Sequence, residues 1–390
     1  MSPKCKPSFL LAWLAILGVL PLHAADLQPS GTLYAWQPIS LTFAGPFAAE
    51  TDTNPNPFLD YRLEVTFSDG HGFSYTVPGF FAADGNAANS GASEGDQWRV
   101  YFAPDMDGTW TWEASFVSGD NVAINGNNGT PVSSIDGMSG SFTVAPMDTT
   151  APGFYRHGRL GYVDGHHLQF LGSGEYFLKI GADAPENFLG YREFDNTCKQ
   201  NNADKNDLSK CDNSNSGLKD WQPHVGDWNP GDPTWSGDRG KGIIGALNYL
   251  AEEEQNAFSF LPYNAGGDGK DVWPFIHPDE PLQYDVSKLD QWNIVFTHAQ
   301  TKGLYLHFKL QETENDNDGT WGLDQGRVET ERKLYYRELI ARFGHHLALN
   351  WNLGEENTQT TTQRQQMAQF IRDTDPYAQH IVIHPYPNHH

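Results

Sequence analysis

The sequence has few cysteines, few positive charges and no long apolar run after its first residues. Lysine and arginine total 25 against 49 aspartates and glutamates, which gives a formal net charge of −24. Affinity for nucleic acids comes from basic side chains that neutralise phosphates, so we do not expect so acidic a chain to bind DNA or RNA. An anionic membrane surface is disfavoured for the same reason. With 38 % apolar and 19 % charged residues, the composition is that of a water-soluble globular protein.

The one long apolar run lies at the N-terminus. Lys4 and Lys6 precede the stretch from Phe9 to Leu22, and small residues follow it. A basic start, a short apolar stretch and small residues at its end are typical of a secretory signal peptide. The run is too short to cross a membrane, which takes about 18 apolar residues or more. We therefore predict a signal peptide at residues 1–25, no membrane span, and a secreted or periplasmic mature protein.

Only three cysteines are present, and Cys5 belongs to the predicted signal peptide. Cys198 and Cys211 remain, both in one loop rich in asparagine, aspartate and lysine. Because an exported protein meets an oxidising environment, we predict a disulfide between them, with two free thiols as the alternative. No histidine lies at ligand spacing from either cysteine, so we expect no metal site there. We also predict no cofactor.

Residues 26–146 have the pattern of a β-sandwich. Apolar and polar residues alternate from Tyr61 to Ser68, and again around Trp98 and from Trp110 onwards. Alternation with a period of two is typical of half-buried strands, and several short strands between turn residues predict a sandwich. A chain with 12 tryptophans could use some of them to stack on sugars. Trp98, Trp110 and Trp112 lie in phase with core positions, however, so we predict that they pack inside.

A second domain follows a predicted linker and hairpin at residues 147–174. From residue 175 short strands alternate with helices, and Asp285 can cap one of these helices. Repeated strand–helix units predict a parallel sheet with helices outside. Neither a GxGxxG motif nor a phosphate-binding loop is present, which favours a barrel over a doubly wound sheet. Strands are predicted at Phe177–Ile180, Phe258–Tyr263, Leu304–Leu310, Leu347–Leu353 and His380–His384.

The number of predicted strands is too small for a complete barrel. A (β/α)8 barrel needs eight strands, and we count five. We therefore predict a multidomain protein in which an all-β sandwich precedes an incomplete α/β barrel of the TIM type at residues 175–390. The sequence would then be a fragment of a longer product. A complete half-barrel domain is the alternative.

Barrel enzymes place their active sites at the C-terminal ends of the strands, and there the sequence is rich in carboxylates, amides and aromatic rings. Trp273, in a glycine-rich segment, is suited to stack on a sugar ring. No catalytic serine elbow and no zinc-protease helix motif occur. The predicted substrate-binding residues are Asn264, Asp268, Trp273, Gln311, Glu312 and His384.

Two adjacent carboxylates follow the fourth predicted strand. Glycoside hydrolysis uses one carboxylic acid to protonate the leaving oxygen and a second carboxylate as nucleophile or base. Glu355 and Glu356 point to opposite sides of an extended backbone, so only one of them can face the substrate. We predict that one is catalytic and that the other orients it or binds a neighbouring loop.

The segment Leu353-Gly354-Glu355-Glu356-Asn357 resembles the Leu-Gly-Asn-Glu-Pro signature of the clan A retaining glycoside hydrolases. The resemblance implies that Glu356 is the acid/base and that Glu355 replaces an asparagine that helps to bind the sugar. It also implies a nucleophilic glutamate after strand seven, which the five predicted strands do not include.

A second resemblance covers nearly the whole predicted mature chain. The segments Trp36-Gln37-Pro38, Val77-Pro78-Gly79-Phe80-Phe81 and Trp98-Arg99-Val100-Tyr101-Phe102 resemble the domain of unknown function 5060, a sandwich that precedes glycosidase-like barrels in exported bacterial proteins. We therefore expect an exported retaining glycoside hydrolase that acts on a polysaccharide or oligosaccharide. A fragment without its nucleophile would be inactive alone. The alternatives are a non-catalytic carbohydrate-binding protein and a structural or adhesion protein of the cell envelope.

Overall fold

The computed structural model describes residues 27–183, 185–200, 211–212, 217–317, 319 and 321–385. Of residues 200, 211 and 212 only the backbone is described. The predicted signal peptide at residues 1–25 lies outside the described residues. Among those that are described, no helix combines the length and the apolar composition that a membrane crossing requires.

The N-terminal part contains two antiparallel sheets that face each other. One sheet has the strand order β1-β2-β6-β5, and the other has the order β4-β3-β7-β8, with β9 also paired to β7. Short helices, α1 (Ala87–Ser90) and α2 (Val122–Asn125), lie in the connections. The strands are β1 (Ser30–Gly31), β2 (Ile39–Ala49), β3 (Tyr61–Ser68), β4 (Ser74–Pro78), β5 (Phe80–Phe81), β6 (Glu94–Phe102), β7 (Gly108–Ser118), β8 (Thr130–Pro131) and β9 (Ser139–Val144).

Aromatic side chains fill the space between the two sheets. Phe67 of β3 stacks on Phe102 of β6 with a centroid distance of 4.1 Å. Trp98, Trp110 and Trp112 are all buried, which confirms the prediction that they belong to the core. Burial of these large apolar surfaces is the main force that holds the two sheets together.

A small three-stranded sheet follows, made of β10 (Leu160–Val163), β11 (His167–Phe170) and β12 (Tyr176–Phe177). The prediction of a barrel strand at Phe177–Ile180 is therefore wrong at its start, because Phe177 pairs antiparallel with Leu168. The Phe177 ring packs on Phe170 with a centroid distance of 5.6 Å, so it completes the apolar face of this small sheet. The first parallel strand, β13, covers only Gly181–Ala182.

The C-terminal part is a parallel sheet with helices between its strands. Its order, β13-β16-β17-β18-β19, follows the chain without reversal. A doubly wound sheet would reverse its strand order at a switch point, and these five strands show no such reversal. Five strands belong to the sheet among the described residues, and an eight-stranded barrel stays a prediction. The strands are β16 (Ala257–Phe260), β17 (Tyr305–Lys309), β18 (Leu349–Asn352) and β19 (His380–Val382), and the helices are α3 (Lys241–Glu252), α4 (Val286–Thr301), α5 (Thr330–Phe343) and α6 (Thr361–Thr374).

Local sequence signals fix where these helices begin. The side chain of Asp285 accepts a hydrogen bond from the Lys288 amide at 2.9 Å, which confirms the predicted cap of α4. At α6, Thr360 and Gln363 form a reciprocal capping box. Such caps satisfy amide groups that would otherwise have no partner at the first turn.

The sandwich packs on the helix layer through buried arginines of α5. Arg337 donates to the carbonyls of Leu63 and Gly79, both at 3.2 Å. Arg342 donates to the Phe81 carbonyl at 2.9 Å and pairs with Glu338 at 3.1 Å. Because these guanidinium groups are buried and bonded across the boundary, the two parts of the chain are held in one arrangement.

Cys198 is in a disulfide bond. Two very short strands, β14 (Lys199–Gln200) and β15 (Cys211–Asp212), pair antiparallel and place Gln200 opposite Cys211. The side chain of Cys211 lies outside the described residues, so the pairing of Cys198 with Cys211 stays a prediction.

Candidate active site

The inner face of the parallel sheet carries polar side chains from neighbouring strands. On β17, His307 and Lys309 point to this face, while Phe308 between them packs against Phe343 of α5 with a centroid distance of 5.9 Å. Successive side chains of a strand point to opposite faces of the sheet, so His307 and Lys309 share one face and Phe308 takes the other. The polar residues therefore form rows that run across the strands.

The first row centres on His307. Its Nδ1 lies 2.7 Å from Lys179 Nζ and 3.0 Å from the Ser259 hydroxyl, and its Nε2 lies 3.1 Å from the Asn352 amide nitrogen. Burial, together with the nearby ammonium of Lys179, lowers the pKa of His307 to about 3. The imidazole is therefore neutral at physiological pH, and it links β16, β17 and β18 through hydrogen bonds.

The second row is a cluster of charges around Lys309, which we call the Lys309 cluster: Asp183, Glu186, Lys309, Glu355 and His384. The Lys309 side chain is 0 % exposed, and its Nζ lies 3.2 Å from Asp183 and 2.9 Å from Glu186. It also pairs with Glu355. Burial alone would lower the pKa of Lys309, but the hydrogen bonds that its ammonium donates to Glu355 and Glu186 raise the pKa above its ordinary value. The ammonium is thus a fixed positive charge beneath three carboxylates.

Glu355 occupies the centre of this cluster. One carboxylate oxygen binds Lys309 and also lies 2.9 Å from His384 Nδ1, and the side chain is 14 % exposed. Its backbone amide donates to the Gln311 carbonyl at 2.8 Å, which extends the pairing of β17 and β18 past their ends. Burial raises the pKa of Glu355, and Lys309 opposes that shift. A carboxyl group in this position is open to a ligand yet partly shielded from water.

Glu356 takes a different course. Its φ angle is +47°, in the left-handed region, so the chain turns there and leaves the extended path of the strand. Its carbonyl accepts a hydrogen bond from the Thr313 hydroxyl at 2.9 Å. Within the described part of the chain, the ion pairs of the Lys309 cluster are made by Glu355 and not by Glu356. The structure therefore places Glu355 in the cluster, although the sequence resemblance favoured Glu356 as the acid/base.

Two of the predicted substrate-binding residues are buried and bonded to the protein itself. Asn264 donates to the Asp271 carboxylate at 2.9 Å and accepts from the amides of Asp271 and Val272. Gln311 donates to Gln359 at 3.2 Å and accepts from Arg332. Both amides hold loops in place beside the sheet, and in this conformation neither is exposed to a substrate.

Trp273 does not line the site either. Its side chain is 2 % exposed, and Lys288 Nζ lies 5.7 Å from its ring centroid. A platform for a sugar needs one open ring face, which this indole does not offer. The sequence of a glycine-rich loop does not show which of its side chains fold back into the core, and the role of Trp273 in sugar binding stays a prediction.

Glu312 lies beneath the glycine-rich loop. Its carboxylate accepts a hydrogen bond from the backbone amide of the exposed Asp268 at 3.0 Å. Glu312 itself is only 4 % exposed. Burial raises the pKa of Glu312 to about 8, against the opposing effect of the Asp268 amide. At neutral pH the group is therefore mostly protonated.

Three residues of the Lys309 cluster have side chains of the type that binds cations, and these side chains lie close together. The side-chain donor atoms of Asp183, Glu355 and His384 all lie within 4.8 Å of one another. Lys309 already binds two of these carboxylates, however, so a positive charge is present without a metal ion. The arrangement is better suited to hold two carboxylates close together than to bind a divalent ion.

Asp183, Glu186 and Lys309 were not singled out from the sequence. One signal could have identified Lys309: it lies two residues after His307 on the same face of a strand that is otherwise apolar. A lysine at an inward position of a buried strand needs carboxylate partners, because an unpaired buried charge is very unfavourable. Its partners come from other strands, and they could not be named without the register of the sheet.

Comparisons with known proteins agree with this architecture. Residues 32–117 match the model of a domain of unknown function, DUF5060. A comparison with curated proteins found no match. One similar solved structure is a Bacteroides vulgatus protein named provisionally as a glycoside hydrolase, at 16 % identity and a TM-score of 0.60, with 91 % of this chain and 56 % of that chain covered. A family 5 glycoside hydrolase from the same species has 14 % identity and a TM-score of 0.39, with 60 % and 40 % covered.

The chain thus spans 56 % of the length of the first of these structures. At such low identity the likeness establishes a shared fold and nothing about activity. The chain therefore contains a DUF5060 domain, and its fold is that of a structure named as a glycoside hydrolase.

Proposed function

We propose that this protein is an exported retaining glycoside hydrolase of the clan A type, acting on a polysaccharide or oligosaccharide. The observation that carries the proposal is the position of Glu355. It follows β18, at the end of the parallel sheet where barrel enzymes hold their catalytic groups, and it is partly buried yet reachable. The fold it shares with a structure named as a glycoside hydrolase supports the same reaction class.

Glu355 is proposed as the general acid and base. Burial favours its protonated form, so it can give a proton to the leaving glycosidic oxygen. The resulting carboxylate is stabilised by Lys309 and by His384, which both contact the same oxygen. The carboxylate can then take a proton from the water that completes hydrolysis. This assignment replaces the role that the sequence resemblance gave to Glu356.

The test is a matched pair of substitutions in the intact protein. Hydrolysis is measured on a panel of aryl glycosides and polysaccharides for the wild type, Glu355→Gln and Glu356→Gln. We expect Glu355→Gln to lower kcat/KM by about a hundredfold or more, since this is the usual contribution of general acid–base catalysis. Glu356→Gln should have a much smaller effect. The reverse order would return the catalytic role to Glu356.

The same panel separates an enzyme from a binding protein. If the wild type binds glycans on an array but hydrolyses none, it is a carbohydrate-binding protein and the proposal fails. Binding to envelope proteins in place of glycans would favour a structural or adhesion role.

A further inference from the structure

We propose that Glu186 is a positioning residue for the general acid Glu355, because it takes a share of the Lys309 ammonium and so leaves the charge of an ionised Glu355 only partly neutralised. This inference rests on the proposed glycosidase function and deepens it. It concerns the acid/base alone, and it leaves the expectation of a nucleophile after a seventh strand unchanged.

A single ammonium group serves three carboxylates in the Lys309 cluster. Lys309 Nζ donates a hydrogen bond to Glu186 at 2.9 Å, lies 3.2 Å from Asp183 and pairs with Glu355. An ammonium has three N–H groups, so each carboxylate can take one of them. Because the three contacts use the whole donor capacity of Lys309, Glu355 receives only one of these bonds.

The charges of the cluster do not balance when every carboxylate is ionised. Three negative charges then face the one positive charge of Lys309. Carboxylates that share a site make each other's ionisation less favourable, and the least solvated of them is the one most easily kept protonated. Glu355 is 14 % exposed, against 36 % for Glu186 and 56 % for Asp183. The proton is therefore expected on Glu355, which is the group that the reaction uses as an acid.

The electrostatic surroundings of Glu355 agree with this distribution. Burial is the main cause of its raised pKa, and the charge of Glu186 acts in the same direction. Lys309 on β17 and His384 after β19 lower this pKa, and Asp183 is the further charged group that faces Glu355 from the segment after β13. Glu186 thus opposes Lys309 and His384 and favours the protonated form of the acid.

Backbone and side-chain contacts hold Glu186 in position. Its carbonyl accepts a hydrogen bond from the amide of Leu261, directly after β16, at 2.8 Å. The side chain of the next residue, Asn187, donates to the Asp271 carboxylate at 3.0 Å. These bonds fix the segment after β13 against the end of β16, so the Glu186 carboxylate approaches Lys309 from a fixed position. A charge that is held in place in this way acts on its neighbours more strongly than one on a freely moving side chain.

Glu186 also faces a second buried carboxyl group, Glu312 at the end of β17. Burial is the main cause that raises the pKa of Glu312 to about 8, and the charges of Glu314 and Glu186 act in the same direction. Removal of the Glu186 charge should therefore make both Glu355 and Glu312 more acidic.

Titration of the carboxyl groups by NMR tests the inference without catalysis. The intact protein is labelled with glutamate that carries carbon-13 in the side-chain carboxyl group, and the Glu355 signal is assigned as the one missing from Glu355→Gln. In Glu186→Gln, Glu355 should titrate at a lower pH than in the wild type, because a like charge is lost and a Lys309 N–H becomes free. Glu252→Gln, the same change at the exposed end of α3, should leave this titration unchanged. A Glu355 titration that stays in place or moves to higher pH in Glu186→Gln would overturn the proposal.

The pH profile of hydrolysis gives a second readout. The basic limb of kcat/KM reports the ionisation of the essential acid in the free enzyme. Glu186→Gln should move this limb to lower pH by about half a unit, which is the scale of an interaction with a partly exposed charge. Glu186→Asp keeps the charge but shortens its reach to Lys309, so its profile should lie between the two. A loss of kcat that is the same at every pH, with no shift of the limb, would contradict a positioning role.

The two hypotheses can fail separately. If the wild type hydrolyses no glycoside, the proposed function is wrong and Glu186 has no acid to position. If it hydrolyses glycosides while Glu355 titrates alike in the wild type and in Glu186→Gln, only the role of Glu186 is wrong. Melting temperatures of the variants show whether a changed profile reflects a loss of folding.

Discussion

Gly267 lies so close to Glu312 that a side chain at position 267 would have to displace either that carboxyl group or the loop. A Cβ atom at position 267 would be 1.4 Å from a carboxylate oxygen of Glu312 and 3.3 Å from the Asn264 carbonyl. The glycine-rich loop therefore closes over a buried carboxyl group only because one of its residues has no side chain. This contact links the loop to the end of β17, next to the Lys309 cluster.

Gly267→Ala should force either the loop or Glu312 out of place. We expect a loss of about 1–3 kcal/mol in the free energy of unfolding, as for other overpacked sites, measured by urea denaturation. Gly226→Ala is the control, since a Cβ there meets no atom within 4 Å. Equal stability of Gly267→Ala and the wild type would show that the loop does not rest on Glu312.

The raised pKa of Glu312 predicts how the stability of the protein changes with pH. Burial raises it from 4.5 to about 8, so the folded protein keeps a proton that the unfolded chain releases between these values. The contribution of Glu312 to stability is fully present below pH 4.5 and is lost as the pH rises towards about 8. The neutral substitution Glu312→Gln should therefore gain stability relative to the wild type from pH 5 to pH 8. Urea titrations of both proteins at the two pH values measure this difference, and parallel pH profiles would contradict it.

Several elements could be predicted because short-range physics determines them. The spacing of apolar residues along the chain predicted strands β16 to β19. The capping role of Asp285 followed from hydrogen bonding within a few residues. Phe177 shows where this reasoning ends. Its segment has the composition of a strand, but tertiary contacts with Phe170 decide that it pairs antiparallel in the small sheet.

The candidate site was only partly predictable, because it depends on backbone direction and on register. A choice between Glu355 and Glu356 requires the φ angle of Glu356, and a left-handed conformation at a glutamate leaves no signal in the sequence. Asp183 and Lys309 are far apart along the chain, and only the order of the parallel strands brings them together. Sequence patterns therefore located the end of the sheet and two of the residues that meet there, Glu355 and His384, but not Asp183, Glu186 or Lys309.

Trp273 provides a test of the difference between a sugar platform and a core residue. Since its indole is buried, Trp273→Ala should reduce the free energy of unfolding by about 3–5 kcal/mol through the cavity that it leaves. If Trp273 were instead an exposed platform, its removal would cost little stability and would weaken the binding of oligosaccharides. Thermal or urea unfolding, combined with glycan binding of the same variant, distinguishes the two roles. An unchanged stability with lost binding would restore the sequence prediction.

Removal of the positive charge at Lys309 should expose the repulsion among the carboxylates that it holds. Lys309→Met keeps much of the volume but leaves Asp183, Glu186 and Glu355 without their shared ammonium. Loss of one partner of a fully buried ion pair costs about 3–5 kcal/mol. We expect a smaller loss of stability here, because Asp183 and Glu186 are 56 % and 36 % exposed and their charges stay solvated.

The pH dependence of this loss identifies its cause. Without Lys309 the carboxylates have higher pKa values in the folded state than in the unfolded chain, so they bind protons on folding in mildly acidic solution. The penalty for Lys309→Met should therefore be smaller at pH 5 than at pH 8. Lys333→Met on α5, outside the Lys309 cluster, should show no such trend. A penalty that is the same at both pH values would mean that Lys309 acts through packing, and the electrostatic account of this site would then be wrong.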